Sequence, residues 1–308
     1  MKLSIVTTLY HSRNFLDEFY RRASAAARAF ALDDYEIVIV NDGSPDDSFE
    51  LAMNIALQDA RVMVVDLSRN FGHHKAMMTG LAHAAGDVIF LIDSDLEESP
   101  EWLADFAETL IGERCDVVYG VQEQRKGGWF ERVSGQWFWT LFNVLTDMSL
   151  PANMVTARLM SRRYVDALLR HQEREVFMAG LWHITGFSQI AKTVYKLSNT
   201  TSTYTFRKKI ALLVNSITAF SNTPLIGIFY TGSVISLLAG AYIIWLLVNW
   251  LFLNRPPTGW TSVMASIWLI GGLLMSCVGI IGIYLSKIFS ETKQRPYTII
   301  RQIYRRKS

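Results

Sequence analysis

Two stretches of this chain carry no charged side chain: Ile210 to Asn254, and Pro256 to Ser286. Each exceeds the roughly 20 apolar residues that a helix needs to cross a bilayer. In hydrocarbon every backbone polar group must be satisfied within the segment, so runs of this kind fold as helices. Apolar residues make up 50% of the chain, and they are unevenly spread. The first 209 residues read as a soluble α/β protein, and the apolar excess follows them. The expected spans are 225–253 and 263–289, joined by NRPPTGWTS, whose only charge is Arg255.

Charge on either side of the spans orients them. Arg207, Lys208 and Lys209 precede the pair, and Lys287, Lys293, Arg295, Arg301, Arg305, Arg306 and Lys307 follow it. Basic residues favour the cytoplasmic side. The expectation is a multi-pass protein of the cytoplasmic (inner) membrane, with its soluble domain and both termini in the cytoplasm. Residues 206–224, FRKKIALLVNSITAFSNTP, have apolar positions at helical spacing behind a basic start, which predicts an amphipathic helix lying on the bilayer. The alternative is an ordinary core helix. Residues 290–308 form a basic cytoplasmic tail, and residues 1–205 the soluble domain. Trp245, Trp250, Trp260 and Trp268 are candidate interface anchors. Gly271, Gly272, Gly279 and Gly282 suit close helix contact and hence self-association.

The N-terminus MKLSIVTTLY lacks the three regions of a signal peptide and reads as a first strand. Cys115 falls in the soluble part and Cys277 in a span, so a disulfide between them is implausible and a reducing compartment is expected. With 30 basic and 28 acidic residues, no nucleic-acid partner is expected.

Strands and helices alternate through the first half. KLSIVTTLY, EIVIV, VMVVDL and VIFLI read as strands, and NFLDEFYRRASAAARAFA, SFELAMNIALQDA and HKAMMTGLAHAA as helices. Continuous apolar strands alternating with helices predict a mostly parallel, Rossmann-like sheet covered on both faces. Ligands bind such sheets beyond the carboxyl ends of the strands. LMSRRYVDALLRH reads as a further helix, and TVYKLSNTTSTYTF as a loop or edge strand.

Candidate chemistry gathers at that edge. VIFLI runs into Asp93-Ser94-Asp95, then Glu97 and Glu98. Side chains two apart on an extended segment point the same way, so Asp93 and Asp95 can face one hard cation, Mg²⁺ or Mn²⁺, with substrate phosphates completing its shell. The plainer reading is helix-start chemistry, with Ser99 as N-cap and Pro100 at the first helical position. That accounts for Ser99 to Glu101 but not for the aspartates. Asp42, in the turn NDGS, could accept hydrogen bonds from a base or ribose, or simply belong to a polar turn. Arg69 and Asn70 follow a strand and precede a helix whose N-terminus favours anions. His73 and His74 are adjacent and so do not converge naturally on one ion. Arg125, Lys126 and Arg132 flank a glycine-containing loop that could close on phosphate, or remain a solvated loop.

In their order, SIVTTLY, VNDGSPDD, LSRNFGHHKAMMTGLAHAAGD, VIFLIDSDLEESPE, RLMSRR and FSNTPL before the spans resemble the polyprenyl-phosphate glycosyltransferases of glycosyltransferase family 2. Bactoprenol glucosyltransferases and dolichyl-phosphate mannose synthases are among their number. The resemblance implies a GT-A nucleotide-diphospho-sugar-binding domain with two C-terminal transmembrane helices. It implies Asp93 and Asp95 as the metal-binding pair, and Thr8, Tyr10, Asp42, Arg69 and Asn70 at the donor. It further implies inverting transfer of one sugar from a UDP-, dTDP- or GDP-linked donor to a polyprenyl (undecaprenyl) phosphate at the cytoplasmic face, for glycan or O-antigen modification. Thr156 and Arg158 are the catalytic candidates beside the aspartates, and Arg125, Arg132, Arg207 and Lys208 those for the acceptor phosphate. A homo-oligomer is expected, a tetramer being the candidate size.

The chain departs from the family pattern in places. Thr156 stands where an Asp usually precedes Phe-Arg-Leu. Leu197, Thr200 and Thr203 replace the Arg, Gly and Lys of a motif that keeps Ser202 and Tyr204. Thr8, His11 and Ser12 replace Pro, Asn and Glu around Tyr10. A general base at position 156 is thereby in question. A phosphate monoester, with a second pKa of about 6, is already ionised near neutrality. Two other readings compete: a processive polysaccharide synthase, opposed by the missing Gln-x-x-Arg-Trp, and a membrane-anchored nucleotide-sugar binder without catalysis.

Overall fold

The computed structural model describes residues 1–122, 140, 143–146, 151, 153–174, 176–196, 214, 217–218, 221–253 and 259–306. The chain divides into two units: Met1–Trp139, Ser149–Tyr204 and Arg295–Ser308 form the first, and Thr140–Met148 with Thr205–Gln294 the second.

The first unit is built on one mixed sheet. Its strands are β1 (Leu3–Leu9), β2 (Tyr35–Asn41), β3 (Val62–Leu67), β4 (Val88–Leu91), β5 (Val117–Gln122), β6 (Met154–Ser161), β7 (Gln189–Val194) and β8 (Ile300–Arg305), in the order β7-β5-β6-β4-β1-β2-β3-β8. β4, β1, β2 and β3 run parallel, while β6 lies antiparallel between β4 and β5. β1, β2 and β3 are buried along their whole length, which explains their unbroken apolar sequences.

Helices cover both faces. In α1 (Leu16–Ala31) the buried residues Leu16, Phe19, Ala23 and Ala27 recur at helical spacing. Asp17 and Glu18 sit in the first turn and Arg28 in the last, each complementing the helix dipole. α2 (Ser48–Gln58), α3 (His73–His83) and α4 (Trp102–Gly112) are the remaining crossovers, followed by α5 (Arg162–Leu168) and α6 (Met178–Ile184). α3 lies close to β1 because Gly80 has no side chain; a Cβ there would come 2.5 Å from Val6 Cγ1.

Several expectations need correction. The helix expected over LMSRRYVDALLRH begins only at Arg162. Leu159, Met160 and Ser161 end β6, where Leu159 and Met160 pair with both β4 and β5, so sheet pairing overrides helical spacing there. Ser161 then caps α5, its side chain accepting from Tyr164 N. Ser99 is not the N-cap of α4, which starts at Trp102. The Ser99 hydroxyl instead donates to Glu101 and accepts from Arg22. The basic tail contains β8, which pairs antiparallel with β3.

The second unit contains α7 (Thr223–Leu253) and α8 (Trp260–Thr292). Phe229, Leu237, Phe252, Met275 and Val278 are exposed on them. Among the described residues one helical stretch, Leu269–Thr292, is long and apolar enough to cross a membrane; Thr223–Ala239 is apolar but shorter. Within this unit the Tyr284 hydroxyl donates to Ser221 O at 2.7 Å. Most of the expected amphipathic helix at 206–224 lies outside the described residues.

Candidate active site

The acidic segment leaves β4 at the carboxyl edge of the sheet, as its sequence requires. Burial alternates along it: Ser94, Leu96 and Glu98 are buried, and Asp93, Asp95 and Glu97 are partly open. Ser94 and Asp95 lie in a turn rather than on an extended segment, so what Asp93 and Asp95 share is partial exposure and not strand alternation. Leu96 has φ +59°, a left-handed conformation that is costly for a bulky residue and recurs at functional sites.

Asp93 is held by groups from three other elements. His73 Nε2, at the start of α3, lies 3.2 Å from Asp93 Oδ1, without the alignment of a hydrogen bond. His73 Nδ1 in turn meets Thr8 Oγ1, at the end of β1, at 2.9 Å. The Thr156 side chain, on β6, adds to the polar surroundings that favour the Asp93 carboxylate. Burial pushes the Asp93 carboxyl up, but His73, Lys196 and Thr156 outweigh it and leave the pKa lowered. Burial likewise pushes His73 down, and the Asp93 carboxylate more than compensates, so His73 is raised. Its neighbour His74 points elsewhere, to Val176 O at 3.1 Å, and burial and the His73 charge lower it.

Asp95 is raised, first by burial and then by the Asp93 charge, while the Glu97 N–H opposes. Glu98 is fully buried, its Oε1 accepting from Thr156 N at 3.0 Å. Burial, then Asp93, raise its pKa to about 8. Lys196, just beyond β7, lies 3.1 Å from Glu97 and 3.7 Å from Glu98. Burial lowers Lys196, but the surrounding carboxylates leave it raised.

This set fits a hard divalent cation. Asp93 and Asp95 share the partly open side, and Asp93 Oδ1 is buried without a hydrogen bond. Among the described residues no group of three or more His, Cys, Asp or Glu is gathered as a metal cage. The chain would thus supply the aspartates alone, leaving the other positions to phosphate and water.

Arg158 is fully buried on β6, with its guanidinium over the Trp182 ring. Nε donates to Thr156 O at 3.2 Å and Nη2 to Val155 O at 3.3 Å. Burial lowers its pKa to about 9, which leaves it charged at neutral pH. It supports the backbone beneath Thr156.

A second cluster lies beyond β2 and β3. Asp42 is 2% exposed and accepts from Phe71 N at 2.7 Å and Gly72 N at 3.0 Å. Its pKa is raised because burial outweighs those bonds. Gly43 has φ +62°, and a Cβ on it would meet Asn70 N at 2.5 Å, so only glycine lets the two loops touch. Arg69 lies over the Phe71 ring at 4.1 Å and donates to Asn70 O at 3.0 Å. Tyr10 is half exposed, edge-on to the His11 ring. Asp46, Asp66, Arg69, Asn70 and Arg301 are among the residues lining a cleft of about 470 Å³.

The structure thus brings Asp93, Asp95, Thr156 and Thr8 together, and Asp42 with Arg69 and Asn70. Arg125, Arg132, Arg207 and Lys208 lie outside the described residues. Sequence reasoning passed over His73, Glu98 and Lys196 as site residues. Only the choice of Glu98 over a plain helix-start residue had any local signal, its place in the acidic cluster.

A parallel core with an antiparallel insertion and paired aspartates beyond β4 defines a GT-A-like sheet. Residues 4–169 match the model of Glycosyl transferase family 2, and the chain belongs to that family. It is a glycosyltransferase. A glycosyltransferase from Mycobacterium tuberculosis is 51% identical over 304 residues, covering 99% of this chain and 89% of that one. Glycosyltransferase YkcC of Bacillus subtilis is 33% identical, covering 99% and 94%. A prophage bactoprenol glucosyl transferase homolog of Escherichia coli is 30% identical, covering 98% and 99%.

Proposed function

We propose that the chain transfers one sugar, with inversion, from a nucleotide-diphosphate sugar to a polyprenyl phosphate at the cytoplasmic face of the membrane. The observation that carries this reading is the Asp93–Asp95 pair at the carboxyl edge of β4 in a chain that also holds the apolar helices α7 and α8. The end-to-end likeness to a bactoprenol glucosyl transferase homolog supports the same acceptor class.

The reaction needs little from the protein beyond placement. An ionised acceptor phosphate oxygen attacks the anomeric carbon, the bond from that carbon to the diphosphate breaks, and the nucleoside diphosphate leaves. Mg²⁺ or Mn²⁺ on Asp93 and Asp95 would neutralise the leaving diphosphate. His73 faces Asp93, Glu98 accepts from the Thr156 N–H, and Arg158 fixes the Thr156 backbone. Asp42, Arg69 and Asn70, with Thr8 and Tyr10 on the β1 side, receive the nucleoside. A phosphate monoester is already charged near pH 7, so Thr156 in place of an acid does not stop the attack. Arg125, Arg132, Arg207 and Lys208 are the proposed acceptor-phosphate contacts. The apolar helices are proposed as two spans in the inner membrane, and the assembly as a homo-oligomer, with a tetramer as its candidate size.

The test mixes purified full-length protein with undecaprenyl phosphate, Mg²⁺ or Mn²⁺, and UDP-, dTDP- and GDP-sugars, and reads the organic phase by mass spectrometry. A lipid-phosphate sugar from one donor, abolished by chelator, is expected. No product across the panel from folded protein would overturn the reading and favour a nucleotide-sugar binder.

A further inference from the structure

We propose that the C-terminal strand is a working part of the donor site, with Arg301 as a positioning residue for the loops that carry Asp42 and Asn70. This rests on the assignment of those loops to the donor nucleoside.

The family match ends at residue 169, so β8 lies far outside the segment that defines the enzyme class. It nevertheless closes the β3 edge. Met63 pairs with Arg305, Val64 with Tyr304, Val65 with Ile303 and Asp66 with Gln302. The register then breaks, and Leu67 pairs with Ile300. Arg301 is the residue left over, and such a bulge re-aims a side chain. Here the guanidinium turns back toward the end of β3. Nη1 lies 3.2 Å from Asp66 Oδ2, and Nη2 donates to Ser68 O at 2.8 Å.

Both contacts lead to the donor loops. Asp66 is 1% exposed. Its Oδ1 accepts from Asn41 Nδ2 at 2.8 Å, and Asn41 Oδ1 accepts from Ser44 N at 3.1 Å. That path ends in the turn containing Asp42 and Gly43. Ser68 opens the loop whose Phe71 and Gly72 amides donate to Asp42, and its own N–H donates to Ile299 O at 2.9 Å. One guanidinium therefore fixes the β2 turn through Asp66 and Asn41, and the β3 loop through Ser68. A buried carboxylate is costly without a cationic partner, so Asp66 makes the arrangement depend on Arg301. Arg301 also lines the cleft beside Arg69 and Asn70.

The experiment compares full-length wild type with Arg301→Ala, Arg301→Lys and Arg306→Ala. Arg306 is on the same tail but, among the described residues, donates to Leu57 O and Gln58 O, away from Asp66 and Ser68. Two readouts are taken: amide hydrogen exchange at Phe71 and Gly72, and the donor KM and kcat of transfer. Arg301→Ala should speed exchange at both amides and raise donor KM about tenfold with little change in kcat. Lys should restore part of each effect, and Arg306→Ala should match wild type. Unchanged exchange in Arg301→Ala, or equal effects from Arg306→Ala, would overturn the proposal. A wild type that exchanges as expected yet transfers no sugar would overturn the functional reading alone.

Discussion

His73 Nε2 stands 3.2 Å from Asp93 Oδ1, although the residues come from different elements and the adjacent His74 turns away to Val176 O. The pair should titrate together. Asp93→Asn removes the charge that offsets the burial of His73, so the His73 pKa should fall. A histidine raised in the folded state contributes stability that is present below its unfolded value of about 6.5 and is lost as pH rises through the folded value. Imidazole NMR titration of both proteins checks this, and an unmoved His73 resonance would refute the pairing.

Asp95→Asn should leave the fold intact and abolish metal-dependent transfer. Loss of one of two carboxylates holding a cation is expected to cost about a hundredfold or more in rate. Mn²⁺ titration by electron paramagnetic resonance should show weaker binding in step. Full activity in the variant would remove Asp95 from the metal site.

Glu98 gives a signed pH prediction. An acid whose folded pKa is raised to about 8 binds its proton more tightly in the folded state. Its contribution to stability therefore declines as pH climbs from the unfolded value of about 4.3 and levels off above the folded one. Glu98→Gln keeps an acceptor for Thr156 N–H and has no such slope. The Tm of the variant should exceed that of wild type by a margin that widens toward pH 8. A margin independent of pH would contradict a raised Glu98.

Gly43→Ala should be costly twice over. The backbone is at φ +62°, and the new Cβ would press on Asn70 N at 2.5 Å. A loss of about 1–3 kcal/mol is expected, read as a drop in Tm, together with weaker nucleotide binding by calorimetry. Wild-type affinity in a folded variant would separate this turn from the donor site.

Much of the fold could be read from sequence because its signals are local. β1 to β4 announce themselves as apolar runs, and Asp93 and Asp95 follow the last of them. Asp42 is legible as the acidic residue of the turn NDGS that follows EIVIV. What stayed hidden depends on distant pairing. His73 is marked only by Asp93, twenty positions on in another element. Lys196 gains its meaning from Glu97 and Glu98, and β6 from the strands on either side. β8 looked like a basic tail because an edge strand beside β3 can keep Arg301 and Arg305 on the solvent side, with only Tyr304 joining the apolar cluster. The helix start at Trp102 rather than near Ser99 follows from Arg22 and Glu101 claiming the serine hydroxyl.

The pairing of β8 with β3 also sets a parity rule. Residues before and after the segment 205–294 build one sheet, so that segment must begin and end on the same side of any bilayer it enters. The number of crossings is then even. Among the described residues one stretch satisfies the length and apolarity criterion, Leu269–Thr292, and by this rule it would not cross alone. The same geometry orders synthesis, because the strand that seals the sheet leaves the ribosome only after both apolar helices have emerged.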